Sequence, residues 1–404
     1  MGSRIRVLSM FGVGALVLSV TAALAGSAAT PGVTSKQVVI GGTFPLTGPA
    51  QLYSVIPKAE NAYYQWVNAR GGVNHRKIVF KVKDDQYSPP QTVPLTHQLV
   101  EQDHVFAIVN SLGTAPNLAT RRYLNSQKVP QVLLATGDSY WGAQYKRFPW
   151  TIGWQPDYPG ESKIYGTYIR ATMPNAKIGV LMQDDSYGSN YYAGLLAGLG
   201  SSRSNIVDTE KYDATQTDVS SQVVKLARSG ATVFALFALP TQTIGALVVA
   251  TKVGWKPATF VNNVSASPLF MATAEHLGGK VDGAITATYL LDTANHPNTP
   301  AAKLYKAILA KYDPGANPVD SNNLYAVSVG WAFVEALKRA GNPPTRAGLM
   351  RALTHMRNVR NPFLYPGVLE NTSRTDHFPV EQQTLERWSN GRFVPFGKLY
   401  NHAK

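Results

Sequence analysis

The 404-residue chain has no cysteine. That excludes disulfides, thiolate metal sites, a cysteine nucleophile and a lipid-modified N-terminal cysteine. Charged residues make up only 15% of it, and the formal net charge of +14 comes from Lys and Arg scattered along the chain. No dense basic run and no nucleic-acid motif accompanies that charge, so no nucleic-acid partner is expected. Beyond the N-terminal region no apolar run is long enough to span a bilayer. The stretch "GGTFPLTG" after the first strand-like run lacks both the phosphate-loop glycine pattern and the dinucleotide fingerprint. There are only 8 histidines, and none sits in a recognisable catalytic block. "GDSY" at Gly137–Tyr140 superficially resembles a serine-hydrolase block, but without a triad partner it reads as a polar loop after a strand. The pairs Asp84–Asp85 and Asp184–Asp185 each follow a strand-like run. A dipeptide does not turn both carboxylates onto one ion, so helix capping and loop hydrogen bonding explain them better than metal binding. No enzyme activity, cofactor or metal is expected.

What the chain does have begins with an address. Arg4 and Arg6 precede "VLSMFGVGALVLSVTAALA", and the small residues of "ALAGSAA" follow. This is the pattern of a secretory signal peptide over residues 1–29, with cleavage after Ala25 or Ala29. An uncleaved membrane anchor is the alternative reading. The expected mature protein is exported, soluble and monomeric.

From Lys36 the sequence alternates between period-2 and period-3.6 segments. "QVVIGGTF", "KIVFKVKDD", "VFAIVN" and "VPQVLLAT" read as strands, separated by helical runs such as "PKAENAYYQWVNARGG". An aromatic, Gly- and Pro-rich pause at "GDSYWGAQYKRFPWTIGWQPDYPG" follows, and the alternation restarts at "KIGVLMQ". Strand, helix, strand repeated twice predicts two doubly wound α/β lobes with parallel sheets, joined by a multi-segment hinge. The expected division is residues 34–151 plus 287–362 in one lobe and 152–286 plus 363–404 in the other. After the strand-like "GAITATYL" come three helical runs, and the tail reads as short strands.

Ligands of open α/β sheets sit at the C-terminal ends of the strands. Short polar or aromatic residues gather at those positions here: Thr47 and Tyr53, Gly113 and Thr114, Ala135 and Thr136, Tyr187, and Asn262, Asn263 and Ser265. Together they describe two walls of a cleft with hydroxyls, amides and rings but few charges, which suits a small organic molecule. The turn "SLGTAP" at 111–116 stands where a strand gives way to a helix. The first N–H groups of a helix lack intrahelical partners and the dipole favours negative charge there, so this turn is a candidate anion site.

The blocks "VVIGGTFPLTGPAQLY", "YYQWVNARGGVNHRKIVFKVKDDQYSPPQTV", "LVEQDHVFAIVNSLGT", "KVPQVLLAT" and "KIGVLMQDDSYGSNY" resemble the branched-chain amino acid (Leu/Ile/Val) binding family. These are periplasmic receptors of ABC importers with the type I periplasmic binding protein fold. The resemblance runs in order from about Lys36 to about Tyr289. It implies a receptor that closes by a hinge around its ligand and docks on permease subunits in the inner membrane. It implies that Gly113–Thr114 and Ala135–Thr136 hold a carboxylate, and that Tyr53, Tyr187 and Tyr325 form aromatic walls. Where amino-acid binders of this family place an acid for the ligand's ammonium, this chain has Asn262-Asn263-Val264-Ser265. A buried ammonium without an anionic partner costs several kcal/mol. The expected ligand is therefore a carboxylate lacking the α-ammonium, aromatic or medium-chain, or a neutral amide-like compound. A ligand sensor of the same fold and a true branched-chain amino acid binder are the alternatives.

Overall fold

The computed structural model describes residues 1–2 and 30–402. The segment expected to carry the secretion signal, residues 3–29, lies outside them. Among the described residues no helix is long and apolar enough to cross a membrane.

The first sheet takes its strands from the first third of the chain. They are β1 (Gln37–Phe44), β2 (Lys77–Asp84), β3 (Ile108–Val109), β4 (Gln131–Leu134) and β5 (Thr151–Gly153), in the order β2-β1-β3-β4-β5. All four pairings are parallel. The helices between them are α1 (Val55–Asn68), α2 (Pro89–His97), α3 (Thr114–Ser126) and α4 (Tyr140–Ala143). In α1 the residues Ile56, Ala59, Ala62, Tyr63 and Val67 recur at helical spacing and are all buried. Gly71 and Gly72, with φ of 97° and 72°, turn the chain after the helix. The strand-like run at 105–110 yields only two ladder residues, because Asn110 adopts φ 53° and leaves the extended region.

The second sheet has seven strands, β6 (Ile178–Gln183), β7 (Ile206–Tyr212), β8 (Val233–Phe237), β9 (Ala258–Val261), β10 (Ile285–Thr288), β11 (Gln382–Ser389) and β12 (Arg392–Asn401). Their order is β12-β11-β10-β9-β8-β6-β7. Strands β6 to β10 pair in parallel, and β11 and β12 add an antiparallel edge. The tail is thus one long hairpin rather than a set of short strands. Asn390 and Gly391 make its turn at φ 51° and 74°, the two left-handed residues that a tight hairpin needs. Around this sheet lie α5 (Tyr158–Thr172), α6 (Ser186–Leu199), α7 (Ser220–Arg228), α8 (Pro240–Lys252) and α9 (Pro268–His276). The last helices, α10 (Pro300–Tyr312), α11 (Ser321–Arg339) and α12 (Arg346–Leu353), return to the first sheet, where α10 and α11 pack on α1.

Side chains at helix starts satisfy the orphan N–H groups. Asp185 accepts from Gly188 N in α6, Thr299 from Ala302 N in α10, Asp320 from Asn322 N in α11 and Thr345 from Gly348 N in α12. This explains Asp185. Its neighbour Asp184 pairs with Lys211 on β7 at 2.8 Å. Asp84 binds loop groups: its Oδ1 accepts from the N–H groups of Leu46 and Gln86, and its Oδ2 from the Thr47 hydroxyl at 2.7 Å.

One helix pair positions the site. The N-termini of α5 and α6 carry Tyr158 and Tyr187, and the two helices pack closely through small residues. A Cβ added at Gly166 on α5 would lie 2.5 Å from Leu195 O and 2.8 Å from Leu199 N on α6, both backbone atoms that cannot move aside alone. Gly166→Ala should therefore lower the unfolding free energy by about 1–3 kcal/mol, the usual cost of overpacking, read as a reduced urea midpoint with an unchanged slope.

Candidate functional site

A narrow cleft with about 50 Å³ of free interior volume lies between the two sheets. The first sheet contributes the ends of its strands: Leu112 and Gly113 after β3, and Ala135 after β4. The second contributes Tyr187, Leu239, Asn263 and Val264 after β6, β8 and β9. Six tyrosines line it, Tyr53, Tyr87, Tyr158, Tyr187, Tyr289 and Tyr325, and no lining residue is charged.

The sequence-predicted residues divide into those that face this space and those that stand behind it. Tyr53, Gly113, Ala135, Tyr187, Asn263 and Tyr325 line the cleft. Thr114, Thr136 and Ser265 are buried just beneath. Thr47 is exposed, outside the lining, and bound to Asp84. Asn262 is fully engaged: its Oδ1 accepts from Ala238 N and its Nδ2 donates to the Tyr187 hydroxyl.

The anion-binding turn is more specific in structure than in sequence. Gly113 is the residue before α3 and sits at φ 102°. A Cβ there would come within 2.7 Å of the Tyr87 ring, so glycine is required twice over, by conformation and by space. The N–H of Gly113 donates to Ala135 O, and the N–H of Ala135 donates to Ser111 O. Those two donors are spoken for. The free N–H groups at the helix start belong to the next residues, beginning with Thr114. The Thr114 hydroxyl does not cap its own helix. It lies 2.6 Å from the Thr136 hydroxyl. Thr136 Oγ1 in turn accepts from Trp141 Nε1 and Asp138 N, both at 3.4 Å. Either hydroxyl can be the donor in the bond between them, and both threonines are buried.

The tyrosines serve mostly as rings, because their hydroxyls are tied down. Tyr187 donates to Ala238 O at 3.0 Å. Tyr325 donates to Asn110 Oδ1 at 2.8 Å. Tyr158 meets Tyr187 edge-on at 5.1 Å and stacks on Tyr191 at 4.5 Å. Tyr53, from the first lobe, reaches across to Val264 O at 3.1 Å and Ser265 Oγ at 3.3 Å. Other bonds cross the gap as well. Asp138 accepts from Ser186 and Asn190 on α6, and Ser267 donates to Asp320 at 2.8 Å. The "GDSY" loop is thus a contact between lobes: the Ser139 N–H donates to Asn190 at 3.1 Å. Burial drives the phenol pKa values of Tyr53, Tyr187 and Tyr325 upward, so these rings stay neutral.

Sequence reasoning missed Tyr87, Gln155, Tyr158, Leu239 and Tyr289. Tyr87 and Tyr158 stood in plain view, in "DDQYSP" and in the aromatic pause, at positions following strands. It also missed three buried carboxyls behind the walls. Glu60 accepts from Tyr64 and Asn110, Glu161 from Tyr165, Tyr191 and the Asn263 N–H, and Glu370 from Trp154 and Asn361. Desolvation pushes them up to about 8, about 7 and about 7. Glu161 lies beneath Asn263, its oxygens accepting from three donors. Among the described residues no group of three or more His, Asp or Glu could hold a metal ion.

Two α/β lobes meet over a cleft, with hydrogen bonds reaching across it. The chain belongs to the periplasmic binding protein family, whose model matches residues 37–392. That family consists of solute-binding receptors, not enzymes. The chain is 26% identical over 336 residues to a Leu/Ile/Val-binding protein homolog 7 of Brucella suis, covering 80% of this chain and 82% of that one. It is 23% identical over 312 residues to an amino acid binding protein of Pseudomonas aeruginosa, covering 77% and 81%. Its fold matches a branched chain amino acid ABC transporter protein from Thermus thermophilus with bound valine, at a TM-score of 0.80 and 19% identity, over 91% of this chain and 97% of that one. It matches a fatty acid ABC transporter substrate-binding protein from Thermomonospora curvata at a TM-score of 0.79 and 23% identity, over 92% and 94%. These neighbours share its fold, two parallel-sheet α/β lobes of the type I periplasmic binding proteins.

The buried acids make stability depend on pH. In the unfolded chain these carboxyls titrate near 4.5, and in the fold they keep their protons up to about 7 or 8. The folded state therefore binds more protons through that window, and stability falls as pH rises across it. The melting temperature should be higher at pH 5 than at pH 8, and Glu161→Gln should reduce the difference in a calorimetric scan.

Proposed function

We propose that this protein is the periplasmic substrate-binding receptor of an ABC importer, and that it binds a small organic carboxylate without an α-ammonium group. The lobes divide between the two sheets, with α10 to α12 returning to the first. The ligand's carboxylate takes the free N–H groups at the start of α3 and the Thr114 hydroxyl. The rings of Tyr53, Tyr158, Tyr187 and Tyr325 enclose its apolar part. The closed form, monomeric, is what the permease subunits in the inner membrane receive.

The observation that carries this reading is the cleft's lack of charge. A carboxylate is stabilised there without any cation, by helix-terminal N–H groups, a dipole worth on the order of 0.3–1 kcal/mol or more when partly buried, and charge-assisted hydrogen bonds. An ammonium has no such provision. Neutral tyrosine oxygens can accept from it but do not offset its charge, and the Glu161 oxygens are already engaged by Tyr165, Tyr191 and the Asn263 N–H. The relatives named for leucine, isoleucine and valine argue for amino acids, whereas the fatty acid transporter neighbour offers an amine-free acid on the same fold.

Closure requires a ligand that touches both lobes, since only differential affinity for the closed form shifts the population. Gly113 and Thr114 on one side and Tyr187 and Asn263 on the other meet that requirement. The test is a thermal-shift panel on the mature protein, in which each amino acid is paired with its deaminated acid and joined by aromatic and dicarboxylic acids. At 100-fold its dissociation constant a ligand adds about 2.7 kcal/mol, which for lobes of this size is on the order of 5–10 °C. The amine-free acids should produce that shift. A panel in which only amino acids raise the melting point overturns the reading.

A further inference from the structure

A second cavity, of about 250 Å³, adjoins the cleft. The two share a wall, since Leu290 and Ser321 face both spaces. Leu290 follows β10, where the chain crosses from the second sheet back towards the first. Its backbone is fixed, with its N–H donating to Thr288 Oγ1 at 3.3 Å and a bridge to Leu364. Ser321 opens α11, and its N–H donates to Ser267 Oγ at 3.3 Å. Leu290 and Ser321 thus form part of the wall between the two spaces, on backbones held by hydrogen bonds.

Most of the second cavity's walls are apolar, with Leu291, Leu324, Pro318, Pro268 and Phe393, and Thr288 and Thr293 add hydroxyls. Charge enters at the periphery with the exposed Lys306 and with Asp292, whose carboxylate is occupied by Asn295. Glu386 also faces the cavity, and desolvation pushes its carboxyl up to about 8, so at neutral pH it stands there mainly uncharged. Val319, at 55% exposure, marks the outer edge.

The two spaces differ in kind. The first has anion-binding donors at one end and rings along its sides. The second has no helix-terminal donor set, and most of its lining side chains are apolar. A molecule that fills both must have a carboxylate head and an extended apolar tail. We propose that the second cavity is the tail subsite of an elongated monocarboxylate, with its head at the start of α3 and its chain passing between Leu290 and Ser321. This rests on the carboxylate reading above, and it narrows the ligand class to straight-chain acids longer than the cleft alone can hold.

The experiment is calorimetric titration of the mature protein with straight-chain monocarboxylates from butanoate to dodecanoate, each below its micelle concentration. Each methylene that enters an apolar wall should tighten binding about fourfold, the equivalent of about 0.8 kcal/mol. The gain should persist to the long end of the series. Val319→Trp, at an exposed position that folding does not need, narrows the outer part of the second cavity. It should keep the wild-type affinity for the short acids and lose at least tenfold on dodecanoate. Affinity that levels off or falls along the wild-type series while short acids bind overturns the tail subsite and leaves the carboxylate receptor standing. Dodecanoate binding unchanged in Val319→Trp overturns the tail subsite as well. If no acid of any length binds, the carboxylate reading itself fails and the tail subsite fails with it.

Discussion

A helix start offers N–H donors and no acceptors, and the cleft is organised around that asymmetry. Gly113 holds the turn before α3 open at φ 102°, and Tyr87 fills the space a side chain would need. Everything nearby conforms to a neutral site that expects one negative charge. No lining residue is charged. The Thr136 hydroxyl accepts from Trp141 and Asp138 and lies 2.6 Å from the Thr114 hydroxyl, which ties both threonines under the turn. A cation placed here would raise affinity for any anion. Backbone donors discriminate by geometry instead, because they converge on one point and cannot follow a misplaced group.

The same neutrality extends to the walls. Hydroxyls of Tyr187 and Tyr325 are bound into the lobes behind them, which fixes the rings and removes them as competing polar partners. Behind Tyr325 the chain of bonds runs through Asn110 to Glu60, and behind Asn263 it ends at Glu161. These carboxyls cost stability as they ionise, yet each accepts from two or three groups that would otherwise be buried unpaired. They position the walls rather than touch the ligand. Tyr53 works differently. It is the wall that crosses the gap, bonding to Val264 and Ser265 of the opposite lobe, so it links occupancy of the cleft to the closed arrangement.

Much of this was legible in the sequence, for identifiable reasons. Buried parallel strands such as "VFALF" and "IGVLMQ" are continuous apolar runs between helical periods, and those runs survive in any context. The cleft followed from the rule that ligands sit at strand C-termini, so Gly113, Ala135, Tyr187 and Asn263 could be placed there without coordinates. What was not legible depends on which way a side chain turns. Thr114, Thr136 and Ser265 lie beneath the surface because their hydroxyls bind each other, Tyr53 and backbone. Tyr158 enters the cleft because α5 packs tightly on α6, a contact between helices set by glycines whose purpose shows only in three dimensions. The terminal hairpin carried a readable signal in Asn390-Gly391, but its attachment beside β10 joins residues about a hundred positions apart, which no local pattern specifies.

The most direct test of the central claim is a matched pair: isothermal titration of the mature protein with 4-methylpentanoate and with leucine, which share a carbon skeleton and differ by the ammonium. The account predicts that the acid binds, and that leucine binds at least tenfold more weakly because its ammonium is buried without a partner. Leucine binding as tightly as the acid, or more tightly, would contradict it and would mean that Glu161 or another acid opens to the cleft when the ligand enters.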